Sequence, residues 1–218
     1  MTRPWLIWQI VDSAFPTGGF AHSGGLEAAW QQGHISDFEI QLRELLHQTA
    51  HFTIPFVIAA HEAPHQFEAL DQHHDAFLSN HVANRASRAQ GQTLLASATT
   101  IFSDPFLSSL RARVREGQLP AHLPCIFGVV TRRAGLERLE TIQMFLFLTI
   151  RNLVSAAVRL SITGPLEGQR IQAAAAPFLQ TLSEQAQHFK LEDVAQPAPL
   201  FDLLHANHDR LYSRLFHS

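Results

Sequence analysis

Apolar residues recur along most of the chain at intervals of three and four, the spacing of an amphipathic helix rather than of a strand. The clearest example follows Ser36, where one helical face would carry Phe38, Leu42, Leu45, Leu46, Thr49 and Ala50. Alternating runs rich in Val, Ile and Thr with hairpin turns between them are missing from the sequence, so the pattern offers no sheet. The hydrophobic pattern therefore predicts an all-α fold.

Capping and breaking residues divide this pattern into segments of helical length. Ser36 is predicted to cap a helix, because Glu39 follows it at capping-box spacing. Pro55 can open a further helix, and Asp104-Pro105 separates two others. These boundaries predict one domain over residues 1–218, an all-helical bundle of roughly eight to eleven helices.

The pattern also predicts a central helix and an amphipathic last helix. Apolar side chains cover most of the circumference of residues 137–160, which indicates a central helix. Arg151, Ser155 and Arg159 form one polar stripe on it, because they follow each other at four-residue spacing. The chain is predicted to finish with an amphipathic helix marked by Leu203, Leu204, Leu211 and Leu215.

Composition excludes several classes of protein. Apolar residues make up 46% of the 218 residues, too many for a disordered chain, and Cys125 is alone, which excludes a disulfide scaffold. The net charge of −3 and the lack of a basic block argue against nucleic-acid binding. The apolar stretch Met144–Ile150 is too short to span a membrane, and no signal peptide is evident, so we expect a cytoplasmic protein. Only 16% of the residues are charged, which suggests that part of the surface serves other proteins.

One short motif resembles an enzyme site. His61-Glu62-Ala63-Pro64-His65 has the HExxH spacing of zinc proteases, which need both histidines on one helix face with Glu as the base. Pro64 lies inside the required turn and removes a helical hydrogen bond, so the geometry is not expected to form. A metal-dependent hydrolase using His61, Glu62 and His65 is kept as the alternative function, but no catalytic residue is predicted.

The fourteen histidines raise the question of a metal site. His47 and His51 are four residues apart, and His205 and His208 three, which would suit a weak, exchangeable Ni²⁺ or Zn²⁺ site. No carboxylate or cysteine joins either pair at ligand spacing, so we predict no metal ligand and no cofactor. A nickel store built on the histidines of residues 47–81 remains an option.

Residues 12–25 form a glycine-rich loop rather than a regular helix. Gly18, Gly19, Gly24 and Gly25 permit positive φ angles or the close approach of another backbone. The loop lacks the Gly-Lys-Ser/Thr of a phosphate-binding loop, so we do not expect this chain to bind nucleoside triphosphates. On physical grounds alone, a tight buried connection between two helices explains it equally well.

Both ends of the sequence resemble the signature motifs of the urease accessory protein F (UreF) family. The first is Asp12-Ser-Ala-Phe-Pro-Thr-Gly-Gly-Phe-Ala-His-Ser-Gly-Gly-Leu-Glu27, similar to the family's Pro-x-Gly-Gly-aromatic core and Ser-x-Gly-Leu-Glu. The second is His208-Asp-Arg-Leu-Tyr-Ser-Arg-Leu-Phe216. Arg151-Asn-Leu-Val-Ser-Ala-Ala-Val-Arg159, with Gly164-Pro-Leu-Glu-Gly-Gln169, is also similar. Residues 52–125 match only in helical character.

The resemblance implies a non-enzymatic chaperone of urease maturation. Members of the family are all-α dimers that bind the accessory protein UreD (UreH in some organisms) and the GTPase UreG. This assembly docks on apo-urease (UreABC), influences GTP hydrolysis and supports nickel insertion. The resemblance thus implies a cytoplasmic scaffold that acts as a homodimer in nickel insertion, without a membrane or nucleic-acid partner.

The resemblance also implies roles for individual residues. The glycine-rich loop and an adjoining partner surface would be shaped by Pro16, Gly18, Gly19, Phe20, Gly24, Leu26 and Glu27. A partner-binding C-terminal segment, about residues 200–218, would order on binding UreD and would include Tyr212, Ser213, Arg214, Leu215 and Phe216. Support for the dimer or the UreG face would come from Arg151, Arg159 and Gln169.

Overall fold

The computed structural model describes residues 3–218 and shows an all-helical chain. Within that range the chain forms twelve α-helices and no β-strand, so the all-α prediction is confirmed. In chain order they are α1 (Arg3–Val11), α2 (Leu26–Gln31), α3 (Phe38–Gln48), α4 (Ile54–Glu62), α5 (Phe67–Phe77), α6 (His81–Phe102), α7 (Pro105–Arg115), α8 (Leu123–Arg133), α9 (Arg138–Arg159), α10 (Pro165–Ala174), α11 (Ala176–Ala186) and α12 (Pro199–Ala206).

Helices α3 and α4 form one continuous rod through a π-helical turn, Thr49–Thr53. Pro55 has no N–H to donate to the main-chain oxygen of His51, as the next turn of an α-helix would require. The helix widens at this point, and the His51 oxygen accepts instead from the N–H of Ala195 at 3.2 Å. Pro55 thus lies at the start of α4 as predicted, but α4 continues α3 rather than opening separately.

Helix α9 is the centre of the bundle. It contacts α1, α2, α3, α4, α8, α10 and α11, and its buried side chains include Ile142, Leu146 and Ile150. By length and composition alone α9 could cross a membrane, but 61% of its apolar stretch is buried by the rest of the protein. The central helix of a folded domain meets the same criterion, and the prediction of central burial for residues 137–160 agrees with this position.

Helices α4 and α8 approach unusually closely because Gly128 lies between them. A Cβ atom at Gly128 would be 2.2 Å from the main-chain oxygen of Val57 and 3.1 Å from the Cβ of Ala60. Since any side chain at this position would collide with backbone, the glycine sets the distance between the two helices.

Two predicted boundaries differ from the structure. The cap of α3 is Asp37 rather than Ser36, and its Oδ1 accepts from the N–H groups of Glu39 and Ile40 at 2.9 and 3.2 Å. The last helix ends at Ala206, so Leu211 and Leu215 lie beyond it in an irregular segment. The main-chain N–H of Leu215 donates to the side chain of Glu27 instead of to a helical carbonyl.

Candidate partner-binding site

The two segments that carry the terminal motifs lie against each other. We call residues 208–218 the tail, and the tail together with residues 12–27 the terminal junction. The N–H of His217 donates to the main-chain oxygen of Ala21 at 2.8 Å, and the N–H of Ser23 to that of Ser218 at 2.7 Å. The Ser23 hydroxyl donates to the same Ser218 oxygen at 2.9 Å. These bonds pair the tail with the glycine-rich loop.

The carboxylate of Glu27 accepts hydrogen bonds from the main chain of the tail. It accepts from the N–H of Leu215 at 2.6 Å and from the N–H of Phe216 at 3.2 Å. His208 Nε2 lies 3.0 Å from Oε2, the oxygen that also accepts from Phe216, and the side chains of His208 and Glu27 are almost fully buried. A buried carboxylate is stable only when it is well bonded, so Glu27 and the tail depend on each other.

Arginines of α9 hold the loop from the other side. The Arg159 guanidinium donates to the main-chain oxygen of Phe20 and lies 4.1 Å from the ring centre of Phe216, so one side chain joins loop and tail. Arg151 donates to the main-chain oxygen of Val11 and to Asn152. Both guanidinium groups thus position the N-terminal segment, and the support of the dimer or of the UreG face that the resemblance implies for them stays a prediction.

Close approach of backbone explains two of the glycines. A Cβ at Gly19 would lie 2.7 Å from Nδ2 of Asn152, so the loop rests directly on α9. Gly25 has φ +90°, and a Cβ there would lie 2.6 Å from the ring of Phe201 in α12. The loop is therefore a tight, packed connection, and its glycines serve that packing.

Some of the predicted site residues in and around the terminal junction are buried, and the others are exposed. Gly19, Leu26, Glu27 and Phe216 are buried and can influence a partner only by shaping the surface. The side chains of Phe20 (73% exposed), Leu215 (51%) and Tyr212, which is fully exposed, face outward. The other exposed or half-exposed members are Pro16, Gly18, Gly24, Arg151, Arg159, Ser213 and Arg214.

Gln169 is separate from this cluster. It lies on an exposed face of α10 and, within residues 3–218, forms no side-chain hydrogen bond with the terminal junction. Its predicted support of a dimer or of the UreG face remains a prediction.

Sequence reasoning missed an exposed aromatic pair. Trp5 and Trp8 on α1 are 66% and 59% exposed, and their rings stack edge to face at 5.0 Å. The signal was available, because Leu6 and Ile10 on the same helix turn toward the core and leave the tryptophans on the opposite face.

Comparison with known proteins decides the family. The sequence model of the UreF family matches residues 36–176. Urease accessory protein F of Arabidopsis thaliana is 36% identical, with 97% of this chain and 91% of that protein covered. An uncharacterized urease accessory protein UreF-like of Schizosaccharomyces pombe is 31% identical over 100% of this chain and 98% of its own length. Urease accessory protein UreF of Arthrobacter sp. is 30% identical, with 96% and 95% covered.

The chain belongs to the urease accessory protein F family. The motifs at the two ends of this UreF-family member, read from the sequence as separate signatures, thus form one structural unit. The relatives are named accessory proteins, which is consistent with a non-catalytic role.

The terminal junction also forms part of the wall of a cavity in this UreF-family member, which is partly open to the surface. The cavity has a volume of about 270 Å³, and its lining includes His22, His74, His205 and Ser218. His22 Nδ1 contacts the Ser218 hydroxyl at 2.6 Å, while His74 Nδ1 and His205 Nε2 are buried and have no hydrogen-bond partner among residues 3–218. Burial lowers the pKa of His22 and of His205 to about 4, and that of His74 to about 3, so all three are neutral at physiological pH.

The HExxH alternative is not assembled in this UreF-family fold. His61 is buried at the end of α4, and its Nε2 contacts the main-chain oxygen of Leu136 at 3.0 Å. Pro64 opens a separate 3₁₀ turn, which leaves His65 exposed. Within residues 3–218, no three His, Cys, Asp or Glu side chains are grouped to hold a metal ion. His47 and His51 stack with ring centres 6.3 Å apart, and His51 also stacks on Phe189, as packed surface residues do.

Proposed function

We propose that this protein is a cytoplasmic scaffold of urease maturation that joins UreD (UreH) to the GTPase UreG. Membership in the UreF family supports the role in urease maturation. In this proposal the assembly docks on apo-urease, modulates GTP hydrolysis by UreG and supports nickel insertion. The protein itself acts as a non-catalytic homodimer, and nickel is cargo of the assembly.

The terminal junction is the observation that carries the proposal. Its interior is fixed by Glu27, Arg159 and the tail main chain, while its outer surface presents Phe20, Tyr212 and Leu215. Exposed aromatic side chains on a rigid support are typical of interface hot spots, because they bury much area and lose little conformational entropy. A side chain such as Tyr212, which contributes nothing to the core, fits a role in binding.

The tail conformation refines what partner binding requires. The resemblance implied a segment that orders on binding UreD, whereas here the tail already packs on the loop through Phe216 and His208, which are 4% and 0% exposed. Deleting residues 208–218 would therefore remove core side chains together with exposed ones. A single exposed residue separates binding from folding more cleanly than such a deletion.

We predict that Tyr212→Ala weakens assembly with UreD and UreG by about 10-fold or more, the loss expected for a hot-spot aromatic. The free energy of unfolding of this variant should stay within about 0.5 kcal/mol of wild type, because the Tyr212 side chain is in solvent. The measurement is co-purification and titration of tagged protein with UreD alone, UreG alone and both.

Ile40→Ala, an exposed apolar position on α3, is the matched control and should bind as wild type does. Wild-type protein that assembled with neither partner, and did not restore urease activity in a strain lacking its UreF, would overturn the proposed function.

A further inference from the structure

We infer that a basic stripe at the start of α6 binds an acidic segment of the partner that binds the tail. The stripe consists of His81, Arg85 and Arg88, which lie on one face of α6 at four- and three-residue spacing. The inference rests on the proposed function, and it adds that the segment which the partner places on this surface is acidic.

No carboxylate on α6 balances these cations. Helix α6 has 22 residues and contains no Asp or Glu, and its basic side chains lie in its N-terminal half. The partial positive charge of a helix N-terminus acts over about the first turn, so it reaches His81 but not Arg85 or Arg88. The two guanidinium groups themselves therefore make this surface attractive to anions.

The tail supplies direct evidence that this surface holds a carboxylate. Asp209 Oδ1 lies 2.8 Å from Arg85 and 3.6 Å from Arg214, and its Oδ2 lies 3.4 Å from His81. One carboxylate therefore faces three basic side chains. A guanidinium has five N–H donors, so most donors of Arg85 and Arg214 remain available.

Arg88 adds a charge that Asp209 does not neutralise. It is exposed and, among residues 3–218, has no carboxylate within ion-pair distance, although its charge helps to lower the pKa of Asp75. With His81 and Arg85 it lines an open groove along α6. In a chain whose net charge is −3, this is a locally basic surface next to the tail.

The chemistry favours a protein carboxylate over a nucleic acid. Guanidinium groups bind carboxylates in paired hydrogen bonds, which suits acidic side chains from another protein. The overall negative charge of the chain opposes an extended polyanion, whose binding needs many phosphate contacts. Because Arg214 and Asp209 belong to the tail, the acidic segment is assigned to the tail's partner, UreD, rather than to UreG.

The test compares Arg88→Glu and Arg88→Ala with wild type in binding UreD, measured from 50 to 300 mM KCl. Arg88 is chosen because Arg85 also holds Asp209, so changing Arg85 would disturb the tail as well. Arg132→Glu is the control, because Arg132 is an exposed arginine at the C-terminal end of α8. The next residue, Arg133, binds Asp104, which follows the C-terminal end of α6, whereas the stripe lies toward the N-terminal end of that helix. Circular dichroism and melting establish that each variant is folded.

We expect Arg88→Glu to slow association with UreD by about 10-fold or more at 50 mM KCl, with the difference shrinking as salt screens the charges. Arg88→Ala should fall between Arg88→Glu and wild type, and Arg132→Glu should match wild type. Unchanged UreD association for Arg88→Glu, an equal loss for Arg132→Glu, or a loss confined to UreG would each overturn the inference. Wild-type protein that binds neither partner would instead overturn the proposed function on which the inference rests.

Discussion

The contact between α4 and α8 and the terminal junction hold the protein together in different ways. At Gly128 the two helices meet through apolar side chains and touching backbone, and shape alone determines the fit. At the terminal junction a carboxylate, a histidine, an arginine and main-chain groups are joined by directed bonds. The contact between α4 and α8 should break only when the whole domain unfolds. The tail is held by individual hydrogen bonds, so it can detach while the rest of the domain stays folded. The exposed surface that we propose for partners lies on the part that can open.

The largest effect is expected for Gly128→Ala. The new Cβ would lie 2.2 Å from the Val57 oxygen, so α4 and α8 must move apart, and we expect a loss of about 3 kcal/mol in the free energy of unfolding. The measurement is chemical denaturation followed by circular dichroism, which should show one cooperative transition at lower denaturant. Gly168→Ala is the control, because the nearest neighbours of its Cβ would be side-chain atoms of Val154, Val158 and Thr163, at 3.0 Å or more. Equal stability of the two variants would refute the distinction between backbone and side-chain contact.

The first of these two regions could be largely predicted from sequence, and the second only in part. The 3.6-residue pattern predicted the buried faces of α3 and α9, because burial of apolar side chains follows periodicity directly. It failed at Leu211 and Leu215, which have helical spacing but lie in an irregular tail. The bonds that override the helix there come from Glu27, far away in sequence, and no local pattern records such a partner.

The next effect is expected for Glu27→Gln. Gln keeps the size of Glu27 but offers one acceptor oxygen where the tail uses two, and its NH₂ group would face either the N–H of Leu215 or the N–H groups of Phe216 and His208. We expect the tail to lose about 2 kcal/mol of local stability, the cost of leaving buried polar groups unpaired. Hydrogen exchange should show faster exchange of the Leu215 and Phe216 amides while the α4 and α8 amides stay protected.

Gln31→Ala is a matched control for Glu27→Gln. Gln31 donates to the tail at the Ser213 oxygen and, at 3.5 Å, to Glu27 Oε1. The first bond is exposed and the second is long, so their loss should have little effect. Protection of the α4 and α8 amides that fell together with that of the tail would mean that the terminal junction is part of the global core.

Motif matching located the terminal junction but did not assign roles within it. The sequence could place Glu27 and Tyr212 in two separate signatures, yet only the fold shows that Glu27 is buried beneath the tail and Tyr212 is exposed on it. The Arg151 and Arg159 stripe was similarly visible as polar positions on an apolar helix. Its direction, toward the loop carbonyls of Val11 and Phe20, depends on how the loop crosses α9. A polar residue on a buried helix predicts a partner and leaves the identity of that partner open.

The smallest effect, a pH dependence, should come from the buried histidines around the cavity that the tail helps to line. Burial lowers the pKa of His205 to about 4, from its ordinary value of 6.5, and that of His22 to about 4. Between pH 6.5 and 4 the unfolded chain therefore binds protons that the folded chain does not, so stability falls as the pH falls. Burial raises the pKa of Asp71 to about 6, which favours the folded state in acid and partly offsets this loss.

Replacing His205 by Leu should remove its share of the acid sensitivity. The difference in unfolding free energy between pH 7.5 and pH 5.5 should shrink by about 1.3 kcal/mol relative to wild type, since one pKa unit corresponds to about 1.4 kcal/mol. Taking the difference between two pH values cancels the effect of Leu on packing. His65→Leu is the control, because His65 is exposed in the folded chain and should leave the pH difference unchanged. An unaltered pH difference in His205→Leu would mean that this side chain reaches water in the folded protein, contrary to its burial here.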